Sequence, residues 1–421
     1  MKHYSPLKLS FAIGLVLLGR METLQSGGFR LPDQDAFATA RGEAFVATAD
    51  NPAAIFYNPA GITQLDGSEV RGGIYGIYLD PSYQRPGGGQ SYSLNENLHA
   101  IPQLFYTYSL KDKDWPISFG LGIYSPFGLS EKWPQDTGFR TIATEASVSS
   151  YTINPVIAYK LPWNLSVAAG LMVNYADISL QQGLTPIPHH DLFGFKGDAW
   201  ALGYNLGLMW QPVKQISLGA NFRSETQMDF DGHTTTEYSG HLPNTTSSAS
   251  LNKYSFPLQV SAGISYRPTE KWNMEFDAEY TDWSSLGNLT IHQSSPNPVV
   301  PLSNLPLAFD WQSSWYYEFG VTRYFDNGWH VSAGYIFNEN SMPNAHYLPV
   351  VSDMDKHFLS VGTGYKGQHL SFDLAYQFGY GPDHTVAGSA APLGAPPSYQ
   401  PANGTYSYLS HAVFLSAGWH F

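Results

Sequence analysis

Apolar and polar residues alternate with a period of two along most of this chain. Near the carboxyl end, Leu409, His411, Val413, Leu415, Ala417, Trp419 and Phe421 fall on one face, and Ser410, Ala412, Phe414, Ser416, Gly418 and His420 on the other. Successive residues of a strand point to opposite faces, so the first set forms a greasy side and the second a small or polar one. Leu165 to Tyr175 and Trp200 to Trp210 repeat the pattern, and about fourteen such segments can be traced. A half-buried strand of a soluble sandwich would show it once or twice. Each segment exceeds the roughly 9–11 residues that a tilted transmembrane strand needs. Around 271–281 the polar face turns acidic, with Glu275, Asp277 and Glu279 opposite Trp272, Met274, Phe276, Ala278 and Tyr280. Only a wetted lumen or a paired site tolerates that.

The connections alternate in length. Short ones lie at Lys111–Asp114, Leu161–Asn164, Gln211–Gln215, Arg267–Lys271, Asp326–Gly328 and Lys366–Gln368. Long stretches rich in Pro, Gly, Ser and Asn separate them, at 80–97, 125–146, 180–197, 226–252, 283–312, 338–356 and 381–407. Short turns on one side and long loops on the other are the asymmetry of an outer-membrane barrel. The expected fold is therefore all-β and membrane-embedded, a 14-stranded antiparallel outer-membrane β-barrel over 67–421.

Before the first strand the alternation is absent. Residues 35–44 read as helical, and Asn51-Pro52 and Asn58-Pro59 each set an N-cap residue before a Pro suited to a first helical turn. Such density of caps and apolar residues predicts a small helical N-terminal hatch inside the lumen, 27–66, with a periplasmic arm as the plainer alternative. Ahead of it, Lys2 and Lys8 precede an apolar run from Leu9 to Leu18, too short to span a bilayer and suited to a secretory signal. Residues 1–26 are read as a signal peptide, cleaved somewhere between Gly19 and Gly27.

Composition agrees with export and with lipid as solvent. Of 421 residues only 13% are charged and 15% are aromatic, while mean hydropathy is slightly negative at -0.23. A soluble domain carries about 25% charge. A net charge of -13 argues against nucleic acid as a partner. The absence of Cys excludes disulfides, thiolate nucleophiles and Cys-ligated metals. His189-His190 without a third ligand is a weak metal signal, so neither metal nor cofactor is expected.

Several motifs stand in order along the chain: Gly28-Phe29-Arg30-Leu31, the run Asp50 to Gly61 (DNPAAIFYNPAG), Tyr124-Ser125-Pro126-Phe127-Gly128-Leu129, Asn154-Pro155, Tyr280-Thr281-Asp282-Trp283-Ser284 and the terminal Phe421. Together they resemble the FadL/TodX-type outer-membrane transporters of long-chain fatty acids and aromatic hydrocarbons. The resemblance implies a monomeric, hatched barrel that works passively. Ligand would be caught by extracellular loops, pass to a lumen pocket, and leave sideways into outer-membrane lipid through a kink in the third strand. The family's hatch motif maps onto Asn58, Pro59 and Ala60, lying against a kink at Ser125, Pro126, Phe127 and Gly128. Pro126 cannot donate to a ladder, which fits a break, although it could equally begin the second long loop. Phe56 and Tyr57 are candidate pocket linings. Arg140 and Arg223 are the cations nearest to a clamp for a carboxylate, and the scarcity of others points toward a neutral hydrocarbon. Phe421 would present the chain to the barrel assembly machinery. A general diffusion porin and, further off, an outer-membrane lipid hydrolase are the alternatives; no catalytic residues are expected.

Overall fold

In the computed structural model the described residues are 28–421, apart from 96, 112–114, 189–190, 239–243, 296–299, 301 and 393. The signal segment and the His189-His190 pair lie outside them. Fourteen antiparallel strands run in sequence order. The first is Ser68–Leu79, the second Leu98–Ser109 and the third Ile117–Tyr124, resumed at Gly128–Lys132. The fourth, fifth and sixth are Glu145–Leu161, Leu165–Gly183 and Leu192–Val213. The seventh (Ile216–Arg223, Thr226–Glu237), eighth (Thr245–Phe256, Gln259–Thr269), ninth (Trp272–Thr281, Asn288–Gln293) and tenth (Asn304–Ala308, Ser314–Tyr324) are each interrupted partway. The eleventh to fourteenth are Trp329–Asn338, Lys356–Lys366, Leu370–Val386 and Gly404–His420. The last pairs with the first, from Glu69 opposite His420 to Leu79 opposite Ser410, which closes the ring of strands.

Outward residues follow the alternation. Leu206 on the sixth strand is 45% exposed while its neighbour Asn205 is 0% exposed. The long connections differ from the sequence expectation. Much of 180–197 and 226–252 is strand, with Thr234, Thr235 and Thr236 opposite Ser247, Thr246 and Thr245. Ser/Thr-rich composition reads as loop, yet Thr fits a pleated surface once a partner strand is present. At about 3.3 Å per residue, the 22-residue sixth strand reaches about 70 Å and projects well past a hydrocarbon layer of about 30 Å.

Residues 28–66 are buried almost throughout and touch strands on opposite sides of the barrel. One helix, Ala36–Ala40, is capped by the Asp35 carboxylate accepting from Phe37 N, and packs on the eleventh to fourteenth strands. It is shorter than the expected 35–44 because Gly42 turns away at φ 62. A second helix, Ala54–Tyr57, leads into a 3-10 helix, Pro59–Gln64, which packs on the third to sixth strands and is capped by Asn58. The wall is glycine where the hatch presses closest: a Cβ on Gly334 would lie 2.0 Å from Gly42 N.

The acidic strip of the ninth strand holds this segment. Glu275 accepts from Ala47 N (2.7 Å), Thr48 N (3.1 Å) and Arg41 Nη2 (3.1 Å), and Asp277 from Val46 N (2.8 Å). Glu279 takes Arg30 Nη2 at 2.6 Å. On the other side Arg71 bridges Asp35 and Asp373. Of the two readings of the strip, the pairing one describes these contacts. Inside the hatch, burial and the nearby Asp33 hold the Glu43 carboxyl well above its usual range, and it accepts from Tyr57 Oη.

Candidate functional site

The third strand breaks where Pro126 removes a donor. Tyr124 still pairs with Thr152 and Gly128 with Ser149, so three residues span the place of two. Ser150 of the fourth strand covers part of the loss: its hydroxyl meets Phe127 N (3.1 Å) and Phe127 O, and its carbonyl takes Ser125 Oγ at 2.7 Å. Toward the second strand the ladder stops at Leu104 opposite Ile123. Above that level, among the described residues, no ladder joins 98–103 to the third strand; a backbone bond, Asn95 N to Lys132 O, links the two sides higher up.

The hatch fills this gap. Leu31 N donates to Pro126 O and Gly128 N to Phe29 O, both at 2.8 Å, with Arg30 opposite Phe127 as an antiparallel bridge. Gln34 Nε2 adds a bond to Ser125 O at 2.7 Å. Backbone groups that lipid would leave unsatisfied are thus met from within the lumen.

The Asn-Pro-Ala motif is elsewhere, contrary to the implied placement beside the kink. Asn58 Nδ2 donates to Leu208 O of the sixth strand (2.9 Å) and to Val46 O (2.8 Å), while a Cβ on Gly207 would meet Ala60 N and Pro59. The motif caps the 3-10 helix, and only a wall built with Gly207 lets it approach so closely. The resemblance names the motif; which strand it touches depends on the whole barrel's register.

Above the sealed gap lies a cavity of about 420 Å³ with Phe29 in its lining. Phe29 belongs to an aromatic floor: Trp283 lies 4.8 Å away between ring centroids and Phe127 6.0 Å, and Phe127 stacks on Phe256 at 4.5 Å. The walls include Ala146, Val148, Phe193, Phe195, Leu307 and Trp311. Among the described residues no Lys or Arg lines it, and the carboxylate in its lining, Glu145, pairs with Lys132 at 3.3 Å.

None of Phe56, Tyr57, Arg140 and Arg223 lines this cavity. Tyr57 is buried in the hatch, where its hydroxyl meets Glu43 and Pro32 O. Arg140 ties the second long loop to the third through Thr185 O and Asp191 O (3.0 Å), and also donates to Gln135 Oε1 (3.1 Å) of its own loop. Arg223 lies 3.8 Å over the Phe56 ring, donates to Phe56 O, and reaches Tyr124 Oη at 3.3 Å, just before the break. The sequence reading passed over Phe29, Tyr254 and Trp311 as site residues. Phe29 and Trp283 stood inside quoted motifs, but no local pattern says that they meet.

Comparison with known proteins agrees with the barrel fold. The family model described as outer membrane protein transport protein (OMPP1/FadL/TodX) matches residues 21–413. A long-chain fatty acid transport protein of Salmonella typhi is 22% identical over 403 residues, covering 85% of this chain and 88% of that protein. Among solved structures, a Pseudomonas aeruginosa FadL homologue superposes with a TM-score of 0.79 at 18% identity, over 93% of this chain and 99% of that one. The Pseudomonas putida toluene transporter TodX gives 0.74 at 16% identity, with the same coverage.

Proposed function

The chain belongs to the outer membrane protein transport protein family (OMPP1/FadL/TodX), a family of transporters of the bacterial outer membrane, and from that membership we propose that it takes up small neutral hydrophobic molecules. The observation that carries this reading is the apolar cavity, free of Lys and Arg among the described residues, whose floor residue Phe29 also plugs the gap in the barrel wall. An engineered cavity of about 150 Å³ holds one benzene. This one has room for more than one such ring or for a short aliphatic chain. Transfer from water contributes about 0.8 kcal/mol per CH₂, so a lined route that ends in lipid runs downhill without a nucleotide or a cofactor.

Release follows from the seal. When the Phe29–Leu31 strand leaves Pro126 and Gly128, the aromatic floor opens directly on the gap between the second and third strands, and the ligand leaves sideways into lipid. Ser125, Pro126, Phe127 and Gly128 form the gate, Phe29 to Leu31 its bolt, and Asn58 to Ala60 the anchor that holds the hatch to the sixth strand. Arg223 positions the Phe56 helix against Tyr124 rather than clamping a carboxylate. Phe421, 68% exposed beyond the fourteenth strand, serves assembly of a monomeric barrel.

Cells expressing the protein are expected to accumulate toluene faster than a long-chain fatty acid; uptake of neither compound would overturn the reading, and preference for the acid would overturn the neutral class. Phe195→Arg places a charge in the cavity wall. It is expected to lower toluene uptake on the order of tenfold or more, because an unpaired buried charge is costly, while heat-modifiability of the barrel stays unchanged. Arg223→Met keeps the packing over Phe56 but removes two hydrogen bonds, about 1–3 kcal/mol from the hatch. Faster proteolysis of residues 28–66 with unaltered ligand preference is the expected readout, whereas a switch in preference would restore Arg223 as a ligand clamp.

A further inference from the structure

A cavity that empties through the third strand must also be filled, and the wall has a second discontinuity on the far side. The upper half of the tenth strand, Asn304–Ala308, pairs with Asn288–His292 of the ninth. Among the described residues no ladder forms on its other edge. Lower down, the tenth and eleventh strands pair from Tyr316 opposite Asn338, and the last backbone links across are Glu339 N to Trp315 O (3.0 Å) and Gln312 N to Ser341 O (2.8 Å). Above these a seam separates 304–311 from 342–351.

Both lips of the seam line the same cavity, Leu305, Leu307 and Phe309 on one side and Tyr347, Leu348 and Val350 on the other. A side-chain contact crosses it, His346 Nε2 to Asp310 Oδ2 at 3.3 Å, with both side chains partly exposed. Asp310 takes φ 44, a left-handed conformation uncommon outside Gly and concentrated at functional places. Pro306 sits in the middle of the free edge and, having no N–H, keeps it from zipping onto another strand. Just below run outward aromatic rings, Tyr280 and Trp315 (5.3 Å), Trp315 and Tyr317 (6.2 Å), Tyr317 and Phe337 (6.4 Å). Such rings mark the level of the membrane interface.

We propose that this seam is the portal through which neutral hydrophobic ligands are admitted, drawn from the surface of the outer leaflet where they concentrate. The proposal rests on the reading of the cavity as the transport site. The tenth strand stands seven places from the third in a ring of fourteen. Ligand therefore crosses the lumen above the hatch, from one wall to the opposite one. The His346–Asp310 pair is a clasp that parts side chains without breaking any ladder, and the apolar lips supply continuous contact on the way in.

The chain has no Cys, so introduced thiols report without background. In Ala308→Cys, His346→Cys protein in lipid nanodiscs, a short bis-methanethiosulfonate would bridge the lips. The readout is the toluene-displaceable energy transfer from tryptophan to N-phenyl-1-naphthylamine after rapid mixing. Bridging is expected to slow filling on the order of tenfold, leave equilibrium binding unchanged, and be undone by reductant. Ala308→Cys alone carrying a bulky maleimide should slow filling as well, which guards against a misfolded double variant. Unchanged filling rates in fully bridged and fully labelled protein, with binding intact, would overturn the portal alone. No displaceable binding in the parent protein would overturn the cavity reading and the portal with it.

Discussion

Arg30→Cys, Phe127→Cys protein is expected to lose hydrophobic uptake on oxidation and regain it on reduction. The two residues form an antiparallel bridge flanked by the bonds Leu31 N to Pro126 O and Gly128 N to Phe29 O, which makes them a pair without direct hydrogen bonds between them. Such pairs lie about 4.5 Å apart at Cα, within reach of a disulfide. The bond would hold the bolt in the gap. If release is lateral, uptake falls to the unbridged fraction of the molecules, about tenfold at 90% oxidation, since a disulfide reverses only through thiol exchange. Arg30→Cys alone also loses the contact with Glu279, so each variant is compared with itself before and after reductant. Undiminished uptake in fully oxidised protein would mean that the ligand leaves by another way.

Removing the carboxylate of Glu275 is expected to unseat the hatch and open the barrel to ions. That side chain meets two backbone N–H groups, the Thr48 hydroxyl and the buried Arg41. Breaking one partner from a buried ion pair costs about 3–5 kcal/mol, because the remaining charge stays desolvated. If the open form shares that cost with no other state, its population rises roughly a hundredfold to a few thousandfold, at 1.4 kcal/mol per decade. Glu275→Ala should therefore show discrete conductance steps in planar bilayers and readier proteolysis of residues 28–66, while the parent protein stays nearly closed. Glu275→Gln keeps an acceptor for Ala47 N and should fall between the two. Traces and protease resistance matching the parent in both variants would show that the ninth strand does not hold the hatch.

Much of the architecture is legible in local pattern because lipid imposes a strict local rule. Leu206 faces hydrocarbon and Asn205 the lumen, and a one-residue slip would reverse both. The same rule holds for the fourteenth strand, where Leu415 is exposed and Phe414 buried. The upper barrel is less legible: at 226–252 the strands above the membrane carry no greasy outward face, so they read as loop until their pairing is seen. Pro126 was a visible mark of a break, yet the same residue could have begun a loop. Its meaning came from Phe29 and Leu31 lying against it, nearly a hundred residues away in sequence.

The amino-acid sequence by itself determined the barrel, its strand number, the capped pieces of the hatch and the acidic strip on the inner face of the ninth strand. These follow from periodicity and composition, which act between neighbours on a strand or within a helical turn. Tertiary structure decided which lumen groups meet. It set Glu275 and Glu279 against Arg41 and Arg30, placed Asn58 at Leu208 instead of the kink, and gathered Phe29, Phe127, Phe256 and Trp283 into one floor. Those contacts depend on the register accumulated around a closed ring of strands, and no periodic signal along the chain records where two distant faces come to rest.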